Sequence, residues 1–416
     1  MKKKELLSPA GTLKNMRYAF AYGADAVYAG QPRYSLRVRH NDFNHLNNLQ
    51  IGIQEAHEKG KKFYLASNIL PHNAKLKTFL ADITPIIEMQ PDALIMADPG
   101  LIMQVQEIWP DMPIHLSVQA NAMNYATIKF WQKMGITRII LSRELSLEEI
   151  AEIRQQCPNI ELEVFVHGAL CIAYSGRCLL SGYLNHRDAN QGTCTNACRW
   201  DYQLHATKED ETTIYLLEEK KRPGEYMPIF EDENGTYIMN SKDLRAVQLI
   251  DRLIAIGIDS FKIEGRTKSH YYVAQTAQVY RQAIDNAIAG NTFDTTLMTK
   301  LDKLANRGYT EGFFRRHPPS EYQNYRSGSS DNRQQFVGEV VDHQKDGFLT
   351  IEAKNRFCVG DSLELMRPQG SLKFTLEYAE NQRGEQLTVV PGSSYTVNIR
   401  APVSDGVEYG LLLKDE

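Results

Sequence analysis

The feature that most constrains this chain is the alternation of short apolar β-type runs with segments of helical length. Runs of strand character fall at 5–8, 26–29, 62–67, 93–97, 114–118, 138–141 and 161–166. Between them lie helix-length segments such as 12–22, 49–59, 76–89, 125–134 and 147–156. Ser146 precedes the last of these with Glu149 three residues on, the pattern of a capping box. Strands that alternate with helices imply βαβ units and a parallel sheet. An eighth run, 260–263, follows a stretch at 241–256 that reads as helical, and 271–289 reads as another helix. Eight strands, each followed by a helix, predict a closed (β/α)8, TIM-like barrel rather than an open doubly wound sheet. Such a barrel takes about 250 residues. A chain of 416 therefore has room for an insertion and an appendage.

Polar or charged residues sit just past these runs: Gly30 leads into Arg33, then come Asn68, Asp98, Gln119, Asn121, Arg143, Glu144, His167, Glu264 and Arg266. In a barrel the strand C-termini open onto one face, where active sites are built. Any one of these residues could simply end a strand. Their recurrence after strand upon strand is what marks the face.

The stretch 168–235 interrupts the alternation and reads as an insertion. It carries Cys171, Cys178, Cys194 and Cys198, spaced C-x6-C-x15-C-x3-C, while Cys157 and Cys358 stand apart. Four thiolates can hold zinc or an iron–sulfur cluster, and the spacing leaves both readings open beside that of unligated cysteines. From residue 336 the pattern changes to short strands with turn signals such as Pro368-Gln369-Gly370 and Pro391-Gly392. That predicts two domains, a barrel domain over 1–333 and a small antiparallel β-barrel over 334–416.

A net charge of −4 advertises no nucleic-acid partner, so any such partner needs a local patch. Two stretches qualify. Arg33, Arg37 and Arg39 follow the second strand beside Tyr34, and 300–333 holds seven Lys/Arg against four acids, interleaved with Tyr309, Tyr322 and Tyr325. The β-domain next to that second stretch reads as a platform that helps hold RNA. No run approaches the roughly 18 apolar residues of a membrane span, and the basic opening lacks the apolar core of a signal peptide. A cytoplasmic protein without a membrane partner is expected.

The run Glu163-Val164-Phe165-Val166-His167-Gly168-Ala169-Leu170-Cys171, followed by Ser175-Gly176-Arg177-Cys178, resembles the signature of the collagenase-like U32 peptidase family. The likeness extends to Glu5-Leu6-Leu7-Ser8-Pro9, to Tyr28-Ala29-Gly30, to Lys262-Ile263-Glu264-Gly265-Arg266 and to the C-terminal β-domain. It is greatest to the branch of that family that hydroxylates tRNA. The resemblance implies a [4Fe–4S] cluster on Cys171, Cys178, Cys194 and Cys198. It also implies hydroxylation of wobble uridine at carbon 5 in the tRNA anticodon loop, a first step toward 5-oxyacetyluridine-type modifications. Prephenate, in place of dioxygen, is implied as co-substrate, and an electron-donor protein is a further candidate partner. On that reading His167 and Glu264 are the candidate proton-moving residues. Arg33, Arg37, Arg39, Asn68, Asp98, Gln119, Asn121, Arg143, Glu144 and Arg266 are candidates for binding tRNA or prephenate. Three alternatives are a peptidase, a hydroxylase subunit for a quinone precursor, and an RNA-binding module without chemistry. Neither H-E-x-x-H nor G-x-S-x-G is present to favour the first. Oligomeric state is left open.

Overall fold

The computed structural model describes residues 3–36, 41–170, 194–197, 200, 202–206, 215–219, 226–229, 231–232, 235–236, 242–315, 334–343, 347–403 and 405–415. Seven parallel strands, β1 (Glu5–Pro9), β2 (Ala26–Gly30), β3 (Lys62–Ser67), β4 (Ala93–Met96), β5 (Ile114–Leu116), β6 (Arg138–Ile140) and β7 (Glu161–Ala169), lie side by side in chain order. Strand β8 (Asp243–Arg245) follows, and then β9 (Ser260–Ile263), which pairs in parallel with both β7 and β1. That double pairing closes the ring. The eight-stranded barrel is as the alternation predicts, with strand limits shifted by no more than a few residues.

Helices α1 (Leu13–Ala21), α2 (Leu46–Glu58), α3 (Asn73–Glu88), α4 (Pro99–Ile108), α5 (Tyr125–Lys133), α6 (Leu147–Gln156), α7 (Ile250–Ile256) and α8 (His270–Ile288) form the outer layer. Ser146 and Glu149 make the expected capping box at the start of α6, satisfying two backbone donors that a helix leaves open. One expectation fails. Residues 241–256 are not a single helix. Their first part is β8, Val247–Leu249 make a 3-10 turn, and only Ile250–Ile256 are α-helical. The cause is tertiary: β7 runs three residues past its predicted end and offers β8 an antiparallel partner, and pairing there overrides local helical preference.

The barrel lumen is filled by charge as well as by apolar side chains. Lys262 donates to Glu163 at 2.9 Å, and Arg138 reaches the other oxygen of the same carboxylate at 3.2 Å. Arg138 also bonds Glu5 at 2.5 Å and Glu161 at 2.8 Å, while Tyr64 and Ser260 donate to Glu5 at 2.7 and 2.9 Å. Alternate residues of a strand share a face, so Glu161 and Glu163 on β7, and Ser260 and Lys262 on β9, point inward together. Burial acts to raise the Glu163 carboxyl, but Lys262 and Arg138 outweigh it and hold it below the usual range. For Lys262 burial wins and lowers the ammonium despite its partner.

Beyond the barrel, strands Gln334–His343, Phe348–Ala353, Ser362–Arg367, Gly370–Thr375, Ala379–Asn381, Tyr395–Arg400 and Leu411–Asp415 make a seven-stranded antiparallel sheet. Its own core includes Leu349, Ile351, Phe357, Leu365, Val397 and Ile399. It rests on α1 and α8. Lys14 and Lys354 both pair with the buried Glu339, and Gln278 donates to the Arg367 carbonyl at 2.8 Å. Residues 334–416 carry eight Lys/Arg against thirteen Asp/Glu. The sheet domain is acidic in itself, so a phosphate-holding platform there depends on the neighbouring 300–333 stretch, of which 316–333 lie outside the described residues.

Removing one member of a buried ion pair leaves an uncompensated charge, at a cost of about 3–5 kcal/mol. Glu163→Ala is therefore expected to lower the thermal unfolding midpoint sharply. The double change Glu163→Leu with Lys262→Met should recover much of the loss, and calorimetry on the three proteins checks it.

Candidate active site at the barrel mouth

The cysteine-bearing insertion is rooted at one point of the mouth. Asp243 pairs with Ala169, Leu244 with Gly168 and Arg245 with His167, so the chain that leaves after β7 returns antiparallel to β7's last residues. Gly168 lies at φ +104°, and a Cβ there would stand 2.5 Å from the Glu264 carbonyl oxygen, so only glycine lets β7 and the end of β9 come this close. Two peptide units separate Cys171 from Ala169, a reach of at most about 7.6 Å. Cys171, Cys178 and Cys198 lie outside the described residues. Cys194 is described: it is a free, half-buried thiol that accepts from the Asn196 N–H at 3.4 Å. An accessible thiol in a set of four soft donors suits a cluster or a zinc ion. Of the two cysteines set apart, Cys157 is buried at the end of α6 and Cys358 belongs to the C-terminal sheet domain.

One half of the mouth is charged. The Arg143 guanidinium stacks 3.9 Å over Phe165, and Lys262 lies 5.4 Å from that ring and 4.4 Å from the ring of Tyr28. Arg266 follows at 5.8 Å from Tyr28. Three cations thus interleave with two aromatic rings. Arg143 donates to the Ala169 carbonyl at 2.8 Å and stands 3.6 Å from Glu264. Arg266 donates to Ser35 at 2.6 Å across Gly30, where a Cβ would collide with the guanidinium at 2.4 Å. Burial, then Glu264, push the Tyr28 phenol well up, while Arg266 and Arg143 oppose them.

The other half is neutral. Asn68 donates to Ser117 at 3.1 Å, and Ser142 donates to Asn121 at 2.9 Å. Gln119 lies half-buried in the 3-10 turn Val118–Ala120 between them. Glu144 is half-buried beyond β6. Asp98 serves as N-cap of α4, accepting from Leu101 at 2.9 Å, which accounts for it structurally. Arg33 turns away to Asp82 on α3 at 2.9 Å, and Arg37 and Arg39 lie outside the described residues.

His167 lies sealed in the barrel wall. Its ring is 1% exposed and packs among Tyr272, Tyr280 and Tyr309. The Tyr280 hydroxyl gives its proton to the Val166 carbonyl at 2.7 Å, so it accepts from His167 Nδ1 at 3.3 Å. Burial, then Arg245 and Lys268, lower the His167 pKa to about 3. A histidine so held is neutral near pH 7 and does not suit the proton-moving role expected of it. Sequence reading also missed Tyr28, Phe165, Lys262, Glu163, Ser117 and Ser142. The inward alternation of Glu161, Glu163 and Phe165, and of Ser260 and Lys262, was the signal that could have found the charged half.

A (β/α)8 barrel with a cysteine-bearing insertion at the end of its seventh strand and a β-sheet domain behind it defines the class. The chain belongs to the U32 peptidase family: the Peptidase family U32 model matches residues 11–324, and the Peptidase family U32 C-terminal domain model matches 332–414. It is 62% identical to tRNA hydroxylation protein P of Escherichia coli (strain K12), across 100% of this chain and 97% of that protein. To tRNA hydroxylation protein P of Haemophilus influenzae it is 57% identical, covering 99% and 96%. It is also 32% identical to the 23S rRNA 5-hydroxycytidine C2501 synthase of Escherichia coli, over 93% of this chain and 56% of that protein.

His167 supplies a pH signature. Its folded pKa lies below the ordinary value near 6.5, so the group costs nothing above that pH, where both states are neutral. As pH falls from about 6.5 toward 3, the unfolded chain takes up a proton that the folded chain refuses. Stability then drops by up to about 1.4 kcal/mol per pH unit from this group. His167→Gln should flatten that slope in unfolding experiments between pH 6.5 and 4.

Proposed function

We propose that this protein is a tRNA hydroxylase that replaces the hydrogen at carbon 5 of the wobble uridine by a hydroxyl, with prephenate as co-substrate and no need of dioxygen. The observation that carries the reading is identity above 55%, over essentially the whole length, to two proteins named for tRNA hydroxylation. The relative named for 5-hydroxycytidine synthesis supports carbon 5 of a pyrimidine as the target. No helix among the described residues is long and apolar enough to cross a membrane, in keeping with a partner that is RNA.

The mouth suits this chemistry. Carbon 5 is accessible only in an unstacked base, and an anticodon loop supplies one at little cost. Cys171, Cys178, Cys194 and Cys198 would hold a [4Fe–4S] cluster at the root of the insertion. When bound, such a cluster supplies one-electron transfer, and four thiolates leave none of its irons open to substrate. Arg143 and Arg266 would receive the two carboxylates of prephenate, which planar guanidinium groups bind in bidentate fashion. Glu264, beside Arg143, would accept the proton lost from carbon 5. Replacing C–H by C–OH withdraws two electrons from the base, which the co-substrate would take up in place of dioxygen, and an electron-donor protein would serve only to reset the cluster between turnovers.

Nucleoside analysis of tRNA from cells lacking the protein tests the reading, and loss of 5-hydroxyuridine derivatives is expected. Protein purified without oxygen should contain iron and sulfide. Ala at any of Cys171, Cys178, Cys194 or Cys198 should abolish that content, whereas Cys157→Ala and Cys358→Ala should keep it. Unchanged tRNA nucleosides, or stoichiometric zinc without sulfide, would refute the corresponding half of the proposal.

A further inference from the structure

The neutral half of the mouth holds an amide against a buried hydroxyl. Ser142, 3% exposed, donates its hydroxyl to Asn121 Oδ1 at 2.9 Å. With the Ser142 hydroxyl donating to the amide oxygen, the Asn121 NH2 is turned outward and has no partner among the described residues. Asn121 ends the 3-10 turn that follows β5 and sits in the left-handed region at φ +53°, ψ 53°. A residue other than glycine is uncommon there, and Asn and Asp are among those that tolerate it. The side chain is half-buried rather than sealed off. It is a donor pair, held by a buried hydroxyl, at the rim of the barrel.

From this arrangement we propose that Asn121, positioned by Ser142, reads the 4-position of the target pyrimidine and selects uracil over cytosine. The inference rests on the functional reading above. Uracil presents a carbonyl acceptor at position 4, whereas cytosine presents an amino donor. An NH2 turned outward satisfies the first and opposes the second. Flipped or unstacked bases are commonly read on this edge. Location agrees with chemistry. Ser142 is followed directly by Arg143, which stands 3.6 Å from Glu264. Carbon 5 is bonded to carbon 4, so a base gripped at its 4-oxygen by Asn121 presents carbon 5 next to the grip, on the ring shared with the charged half.

The test is complementation of cells lacking the protein with wild type, Asn121→Asp, Asn121→Gly and Ser142→Ala. Hydroxylated uridine and hydroxylated cytidine are measured in their tRNA. Asp and Gly both suit the left-handed backbone, and neither can donate to a carbonyl. Each is expected to cut hydroxylated uridine by roughly tenfold or more, the order of discrimination that one lost hydrogen bond supplies. Iron content, melting temperature and tRNA affinity of the purified proteins should stay near wild type. The ratio of hydroxylated cytidine to uridine should rise for Asn121→Asp. Ser142→Ala, which removes the hydrogen bond that holds the amide, should show a smaller loss in the same direction. Wild-type hydroxylation and an unchanged ratio in Asn121→Asp would overturn the assignment while leaving the functional reading intact. So would a loss matched by lost iron or a collapsed melting temperature in both Asn121 variants. Failure of the wild-type gene itself to restore hydroxylated uridine would overturn the functional reading, and the assignment with it.

Discussion

Lys262 and Glu163 bind one another across the seam where the barrel closes, and most of what is distinctive in the structure depends on that contact. Among the eight strands of the barrel, β9 alone must find both its neighbours at long range, β7 on one side and β1 on the other. An ammonium and a carboxylate, both almost fully buried, specify which inward positions of β7 and β9 face each other. Arg138 and Glu5 extend the same network to β6 and β1, so four of the eight strands meet in one chain of opposite charges. Apolar side chains could fill the same space. Buried charges tolerate far fewer arrangements, because each must meet its partner.

The mouth inherits its order from this lumen. Lys262 lies against Tyr28 and Phe165, and those rings in turn carry Arg266 and Arg143. A charged interior therefore grades into a charged half-rim through aromatic faces that accept cations at low cost. The opposite half-rim, on the ends of β3, β5 and β6, is built from serines hydrogen-bonded to amides. Such a division lets one site hold an anion and a neutral heterocycle side by side. The cysteine insertion enters at the end of β7 on the charged side, and its two strands of attachment hold each other there.

Periodicity alone determined the barrel. Eight runs of alternating or continuous apolar residues, set a helix apart, leave a parallel sheet few ways to bury both faces, and closure is the one that uses eight strands. The same local signals predicted the capping box at Ser146 and the β-domain after residue 333, because turns and caps are short-range chemistry. They also placed Asn68 and Glu264 directly after a strand, and Asn121, Arg143 and Arg266 a few residues beyond one.

What local signals could not decide was direction and partnership. His167 and Asp98 follow strands as the rim residues do, yet one is sealed among three tyrosines and the other caps a helix. The 241–256 segment carries a helical pattern, but its first residues became β8 because an overlong β7 stood ready to pair. Lys262 and Glu163 stand 99 residues apart, and no short-range pattern ties one to the other. The sequence by itself set the elements, their order and the ring of strand ends. Only tertiary structure decided which ends face the site, because burial and ion pairing depend on neighbours that the chain brings together after it has closed.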